Sequence, residues 1–127
     1  MMIPTIEKRS CSRFKIENAK VKIKKAGMFS FLRFFSKSYS LVNISKAGLA
    51  FMYEKKIKRS SKIIIKLRVP KMKPVYLIGL VRWQGKRSDS SQLHVGVEFL
   101  SFGTRLGHNT LDALEELRKL EAIYSKK

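Results

Sequence analysis

The sequence predicts a mainly β domain, built as a six-stranded antiparallel barrel with a C-terminal α-helix. Three observations carry this prediction: six short runs of apolar or alternating residues, turn-forming residues between them, and a change to a helical period near the end. The length of 127 residues is typical of one domain with its own core. The hydrophobic content of 44% excludes a disordered basic tail.

The six predicted strands follow from alternation and from the turns that separate them. In the first, Ala19, Val21 and Ile23 share one face while lysines occupy the other, as in a strand with one face in water. Gly79, inside a later run, indicates a bulge or a close approach of two backbones. The other five strands are predicted over residues 39–44, 49–53, 63–69, 75–83 and 93–99.

Two segments lack a clear period. Residues 1–18 are polar and predict a flexible lead-in to a single domain that covers residues 19–127. Residues 28–35 hold four phenylalanines, for which packing in the core or at the barrel end is favoured over a patch that docks a partner. These are Phe29, Phe31, Phe34 and Phe35.

The last predicted element is an amphipathic helix at about residues 104–124. Asn109, followed three residues later by Asp112, is typical of a helix N-cap. Apolar residues then recur at three- or four-residue steps, which forms one stripe of a helix: Leu111, Leu114, Leu117, Leu120 and Tyr124.

The formal net charge of +19 predicts an anionic partner, such as nucleic acid, a nucleotide or an acidic membrane surface. Residues 1–103 hold 23 basic and 5 acidic side chains, whereas residues 104–127 hold 5 and 4. No apolar run is long enough for a transmembrane segment. The single cysteine, Cys11, excludes a disulfide framework and suits a reducing compartment, so we expect a cytoplasmic protein.

The chain lacks the residues from which a catalytic centre is usually built. Two histidines and one cysteine do not make a zinc site, and His94 is expected on the wet face of a strand. Glu115 and Glu116 are expected on a solvated helix face. We therefore expect no enzyme activity, no metal and no cofactor.

Two short motifs carry the functional signal. An Arg-x-x-x-Arg pair is expected by chance roughly 0.6 times in this composition, and an Asn/Asp-x-Ser-x-x-Gly motif only about 0.03 times. The second motif therefore carries most of the specificity, and it is placed at a predicted turn between two strands. The first motif is Arg9 and Arg13, preceded by Lys8, and the second is Asn43, Ser45 and Gly48.

In this order, the two motifs resemble the signature of PilZ domains, the bacterial receptors for cyclic di-GMP. The resemblance extends from about residue 8 to about residue 120 and implies a PilZ-like six-stranded barrel with a C-terminal helix. Ala47 stands where the family often has a second glycine, and residues 25–38 are longer and more aromatic than usual. Four further stretches agree with the family pattern: residues 41–45, 48–51, 79–83 and 95–99.

The resemblance implies that the protein binds cyclic di-GMP through its two motifs. A guanidinium fork matches both the Hoogsteen edge of guanine and phosphate oxygens, whereas asparagine and serine offer partners to the Watson–Crick edge. Glycine is expected to permit a positive φ at the turn and a close approach of the ligand. The implied ligand-binding residues are Arg9, Arg13, Asn43, Ser45 and Gly48.

Two further residues have a secondary place in this prediction. Lys8 resembles a basic residue that accompanies binding of a ligand dimer in some relatives. Trp83 is equally consistent with stacking on a guanine and with packing as a half-buried strand aromatic. We also expect the ligand to order residues 8–13 and so to change the surface that a protein partner meets.

Other interpretations stay open. The two arginines are alternatively solvated charges, and Asn43 and Ser45 are alternatively turn formers that bind their own backbone. For the whole chain, one alternative is a basic small β-barrel that binds nucleic acid, although its aromatics do not interleave with its basic residues. Another is a PilZ-like adaptor that binds no ligand, and a weaker one is association with an anionic membrane.

Overall fold

Six strands and one helix follow one another in a computed structural model that describes residues 12–27, 32–86 and 92–125. The strands form where apolar residues alternate with polar ones, and the helix forms where the apolar period becomes three to four. The elements are β1 Lys20–Lys25, β2 Tyr39–Ile44, β3 Gly48–Tyr53, β4 Lys62–Arg68, β5 Val75–Lys86, β6 Leu93–Phe99 and α1 Leu111–Tyr124.

The strands close into a barrel in the order β1-β2-β3-β6-β5-β4. Every neighbouring pair is antiparallel, and the pairing of β1 with β4 closes the ring. The predicted fold class is therefore confirmed. In this ring the β1–β4 pair lies across the barrel from the β3–β6 pair.

In the strands, the apolar residues of the alternating pattern point into the core. Val21 and Ile23 of β1 are buried, whereas the lysines between them are half-buried or exposed. Side chains from one stripe of α1 belong to the same core cluster, because the helix turns that stripe toward the barrel. These helix residues are Ala113, Leu117 and Leu120.

Part of the segment before β1 also packs into the core. Phe14 and Ile16 are both buried. Phe14 forms an antiparallel bridge with Ile44, in which each backbone N–H donates to the other residue's carbonyl oxygen at 2.9 Å. This bridge fixes the chain beside the end of β2, where the second sequence motif begins.

The helix begins at Leu111 rather than near residue 104, and its N-cap is Thr110. The Thr110 side chain accepts a hydrogen bond from the Ala113 N–H at 3.0 Å. The prediction of Asn109 as the cap is wrong, because its side chain is buried and binds the backbone of β5 instead. Gly107 has a φ of 88°, a conformation that favours glycine, and it lies shortly before the N-cap.

Gly79 lies where two strands approach closely, as one of the two alternatives for it predicted. A Cβ atom at this position would lie 2.8 Å from the Glu98 carbonyl oxygen of β6. The bulge in this part of β5 occurs a little later, between Val81 and Trp83. Glycine at residue 79 therefore allows β5 and β6 to pair tightly.

The β2–β3 pair is held at its far end by a polar contact. The Tyr39 hydroxyl donates to Glu54 Oε2 at 2.9 Å, and Lys37 Nζ lies 3.2 Å from Glu54 Oε1. Burial and the neighbouring carboxylate raise the pKa of Tyr39 to about 12. The bonds from Tyr39 and Lys37 lower the pKa of Glu54. This contact stabilises the end of the hairpin that is remote from the motif.

Candidate functional site

The turn between β2 and β3 is built by Ser45. The Ser45 N–H donates to the Gly48 carbonyl oxygen at 2.8 Å, and the Ser45 hydroxyl oxygen accepts from the Ala47 N–H at 3.0 Å. The residue is only 3% exposed. The side chain of Ser45 therefore shapes the turn, in the way that serine does in many turns.

Arg13 and Asn43 bring the two sequence motifs together. Arg13 Nη1 donates to Asn43 Oδ1 at 2.8 Å, across 30 residues of chain. The Phe14–Ile44 bridge places these two residues side by side. Because the contact is exposed, both side chains can exchange it for a ligand at little cost. Arg9 and Lys8 lie outside the described residues.

The register of the sheet places Asn43 in a row that crosses four strands. Asn43 pairs with Ala50, Ala50 with Gly96, and Gly96 with Trp83. Directly paired residues in antiparallel strands point to the same face. The neighbours of this row along β3 and β6 are core residues, so the row lies on the outer face of the barrel: Leu49, Phe51, Val95 and Val97.

The two ends of the row carry the groups that a planar ligand can contact. Ala50 and Gly96, the two central members, are buried, with Ala50 1% exposed and Gly96 beneath the Trp83 indole. Trp83 is 48% exposed at one end of the row, and Asn43 with Arg13 stands at the other. Planar rings fit such a site because they stack on an aromatic side chain and receive hydrogen bonds at their edges.

Trp83 packs as a half-buried strand aromatic, which is one of the two alternatives that the sequence left open. Its indole covers Gly96 so closely that a Cβ atom there would lie 2.1 Å from Trp83 Cε2. Glycine at residue 96 is therefore required for the position of the indole. The remaining surface of the ring stays open to solvent, where it can stack on a base.

A groove of about 440 Å³ continues the row on the same face. Its wall is the segment that follows Arg13, together with the middle of β2. Met52 and His94, a register pair of β3 and β6, lie two residues beyond Ala50 and Gly96. Lys15 and Lys20 also line this groove, which gives it cations at its edge. The sequence did not identify the groove, since its members come from four separate segments.

Gly48 has a different role from the one the sequence predicted. Among the described glycines, only Gly27 and Gly107 have a positive φ. A Cβ atom at Gly48 would lie 2.1 Å from the Val97 carbonyl oxygen. The residue is therefore glycine because the backbone of β6 passes directly above it, and the expectation of a positive φ is wrong.

This contact predicts the effect of Gly48→Ala. The methyl group forces β3 away from β6, and we expect the free energy of unfolding to fall by about 1–3 kcal/mol. Urea unfolding followed by circular dichroism measures the change. Gly85→Ala is the matched control, because a Cβ atom at Gly85 has no atom within 4 Å. Equal loss of stability in both variants would contradict this account of Gly48.

The described residues 12–27, 32–86 and 92–125 contain no cluster of three or more histidine, cysteine or acidic side chains able to hold a metal ion. In the same residues, no helix is long and apolar enough to cross a membrane.

A family model described as "PilZ domain" matches residues 7–116 of the chain. The fold is similar to that of the Bacillus subtilis inhibitor of motility MotI/DgrA, with a TM-score of 0.64 and 14% identity over 88% of this chain and 48% of that one. No curated protein matches the sequence significantly.

Two structures of MrkH show the same fold. One, described as a c-di-GMP-dependent transcription regulatory factor, has a TM-score of 0.58 and 12% identity over 89% of this chain and 49% of that one. The other is the complex of K. pneumonia MrkH with c-di-GMP, with a TM-score of 0.59 and 15% identity over 91% and 52%. The chain thus spans about half the length of the structures it matches.

Proposed function

The chain belongs to the PilZ domain family, and from this membership we propose that it is a non-catalytic receptor for cyclic di-GMP. The observation that carries the proposal is the contact of Arg13 with Asn43, which joins the two motifs on one outer face. One of the similar structures is itself a complex with this nucleotide.

The chemistry of the row matches the two guanines of the ligand. Arg13 presents a planar fork that meets guanine O6 and N7, or two phosphate oxygens. The Asn43 amide offers both an acceptor and a donor to the Watson–Crick edge. Trp83 adds a half-exposed ring on which one base stacks.

Gly48 and Ser45 support the ligand site through the backbone. Ser45 holds the turn and Gly48 allows β3 to lie against β6, so together they fix the position of Asn43. Arg9, and with it Lys8, would supply the charge for the second phosphate. Binding would then order residues 8–13 against the barrel and present a changed surface to a protein partner.

Calorimetric titration of the full chain tests this proposal with three ligands: cyclic di-GMP, GTP and a DNA duplex. We expect selective binding of cyclic di-GMP with a Kd in the micromolar range or below, since ~8 kcal/mol is sufficient for it. Amide exchange of residues 1–18 should slow when this ligand is present.

Two other results would replace the proposal. Binding of DNA with a steep salt dependence, without binding of cyclic di-GMP, would identify a nucleic-acid module. Binding of none of the three would identify a PilZ-like adaptor. Binding of cyclic di-GMP with unchanged amide exchange of residues 1–18 would support a receptor function but exclude the ordering of the N-terminal segment.

A further inference from the structure

The outer side of the β1–β4 pair carries an uncompensated positive charge. Lys20 pairs directly with Arg68, and Lys22 pairs directly with Lys66. Like charges in such positions repel one another, so this arrangement costs the fold stability. We call the surface formed by these four residues and Lys24 the basic face.

Within the part of the chain that the structure describes, no acidic side chain forms an ion pair with this face. β1, β4 and β5 contain neither aspartate nor glutamate. The five ion pairs within the described ranges 12–27, 32–86 and 92–125 all use other cations. The anion that compensates the basic face is therefore expected to come from outside the chain.

Two apolar side chains project beside the basic face. Leu32 is 66% exposed and Phe34 is 95% exposed, and we call these two residues the apolar tip. Ser36 holds this segment alongside β1, because its N–H donates to the Ile23 carbonyl oxygen at 2.8 Å and its hydroxyl accepts from the Ile23 N–H at 3.0 Å.

Phe35 links the tip to the basic face. Its ring lies 4.7 Å from Lys24 Nζ, 5.9 Å from Lys66 Nζ and 6.1 Å from the ring of Tyr76. The two ammonium groups already occupy positions over this ring. Phe35 is thus held against the barrel and half-buried, whereas Leu32 and Phe34 are exposed and can enter an apolar phase.

We propose that the basic face and the apolar tip together form a peripheral binding surface for anionic lipid bilayers. Lysines keep their ammonium groups at the headgroups while their long stems contact apolar surface, and leucine and phenylalanine are typical of the buried side of such contacts. Each lysine near an anionic membrane contributes roughly fivefold in partitioning. A nucleic acid would use the same charge but would gain nothing from an exposed leucine.

The barrel separates most of this surface from the candidate ligand site, and of the basic face only Lys20 also lines the groove beside the row. The β1–β4 pair lies across the ring from Ala50 on β3 and Gly96 on β6. The ends of the row, Asn43 on β2 and Trp83 on β5, lie beyond the residues that pair with β1 and β4. A bilayer on the basic face therefore leaves the row free of lipid. The membrane surface does not depend on whether the chain binds cyclic di-GMP.

Co-sedimentation of the full chain with vesicles tests the proposal. The vesicles are phosphatidylcholine alone or an equal mixture of phosphatidylcholine and phosphatidylglycerol. We expect binding to the mixed vesicles only, reduced by high salt. The double change Lys22→Glu with Lys66→Glu should lower partitioning at least about tenfold. Leu32→Ser with Phe34→Ser should weaken it severalfold at any salt concentration. Because both side chains are exposed, we expect this variant to keep its fold, which urea unfolding checks.

The matched control is Arg105→Glu with Arg118→Glu, which changes the net charge equally at exposed positions outside β1 and β4. It should bind the mixed vesicles almost as well as the unaltered chain. An equal loss of vesicle binding in the control would show that net charge alone explains the binding, and would overturn the proposal. Absence of vesicle binding, with binding of a DNA duplex that Lys22→Glu and Lys66→Glu abolish, would reassign the face to nucleic acid.

Discussion

Replacing Arg13 by alanine is expected to weaken binding of cyclic di-GMP by about ten- to a hundredfold, since one bidentate contact to a guanine contributes ~1–3 kcal/mol. The side chain is exposed and contacts Asn43 through one hydrogen bond, so its loss should leave the fold unchanged. Calorimetric titration measures the affinity, and urea unfolding confirms that stability is retained.

Two further variants make this prediction specific. Arg33→Ala removes an exposed arginine near the apolar tip, away from the row, and should leave the affinity unchanged. Arg13→Lys keeps the charge but loses the planar fork, and should restore little of the binding. Full affinity in Arg13→Lys would mean that Arg13 acts only as a charge. Full affinity in Arg13→Ala would show that Arg13 does not bind the ligand.

Asn109→Ala is expected to lower the free energy of unfolding by about 2–3 kcal/mol, because it leaves the Ile78 N–H and the Leu100 carbonyl oxygen without this partner. The Ile78 carbonyl oxygen keeps its bond from the Leu100 N–H at 2.9 Å. The side chain accepts from the Ile78 N–H at 2.6 Å and donates to the carbonyl oxygens of Ile78 and Leu100, both at 2.9 Å. It is 2% exposed. These bonds attach the segment before α1 to β5. Urea unfolding gives the change in stability.

Asn43→Ala is the matched control for this change, since it removes the same side chain from a half-buried position with one exposed hydrogen bond. Its loss of stability should stay below about 1 kcal/mol. Similar losses in the two variants would show that water replaces the bonds of Asn109. A loss confined to ligand affinity in Asn43→Ala would agree with its place in the row.

The strands could be predicted because their alternation is local. Val21 and Ile23 enter the core as their spacing indicated. The N-cap could not be predicted in the same way, since Asn109 and Thr110 are adjacent and both residue types cap helices. The partner that decides between them, the backbone of Ile78, is 31 residues away. A pattern in sequence does not show such a distant contact.

The candidate site could likewise be predicted only in part, because some of its residues meet through contacts that are distant in sequence. The spacing of Asn43, Ser45 and Gly48 identified the turn, and the Arg13–Asn43 contact agrees with the joint use of the two motifs. The row could not be predicted, because Ala50 and Gly96 lie opposite each other only through strand register. That register includes bulges in both β2 and β5, each of which shifts the pairing by one residue.

Trp83 has a consequence for how this protein can be measured. It is the sole tryptophan in the sequence, and its half-exposed indole stands at the end of the row that we assign to the ligand. The intrinsic fluorescence of the protein therefore reports on one place, without any label. A base stacked on the indole would quench its emission, whereas a bilayer on the opposite side of the barrel would leave the emission unchanged. A single fluorescence titration thus distinguishes the two binding events that we propose for this barrel.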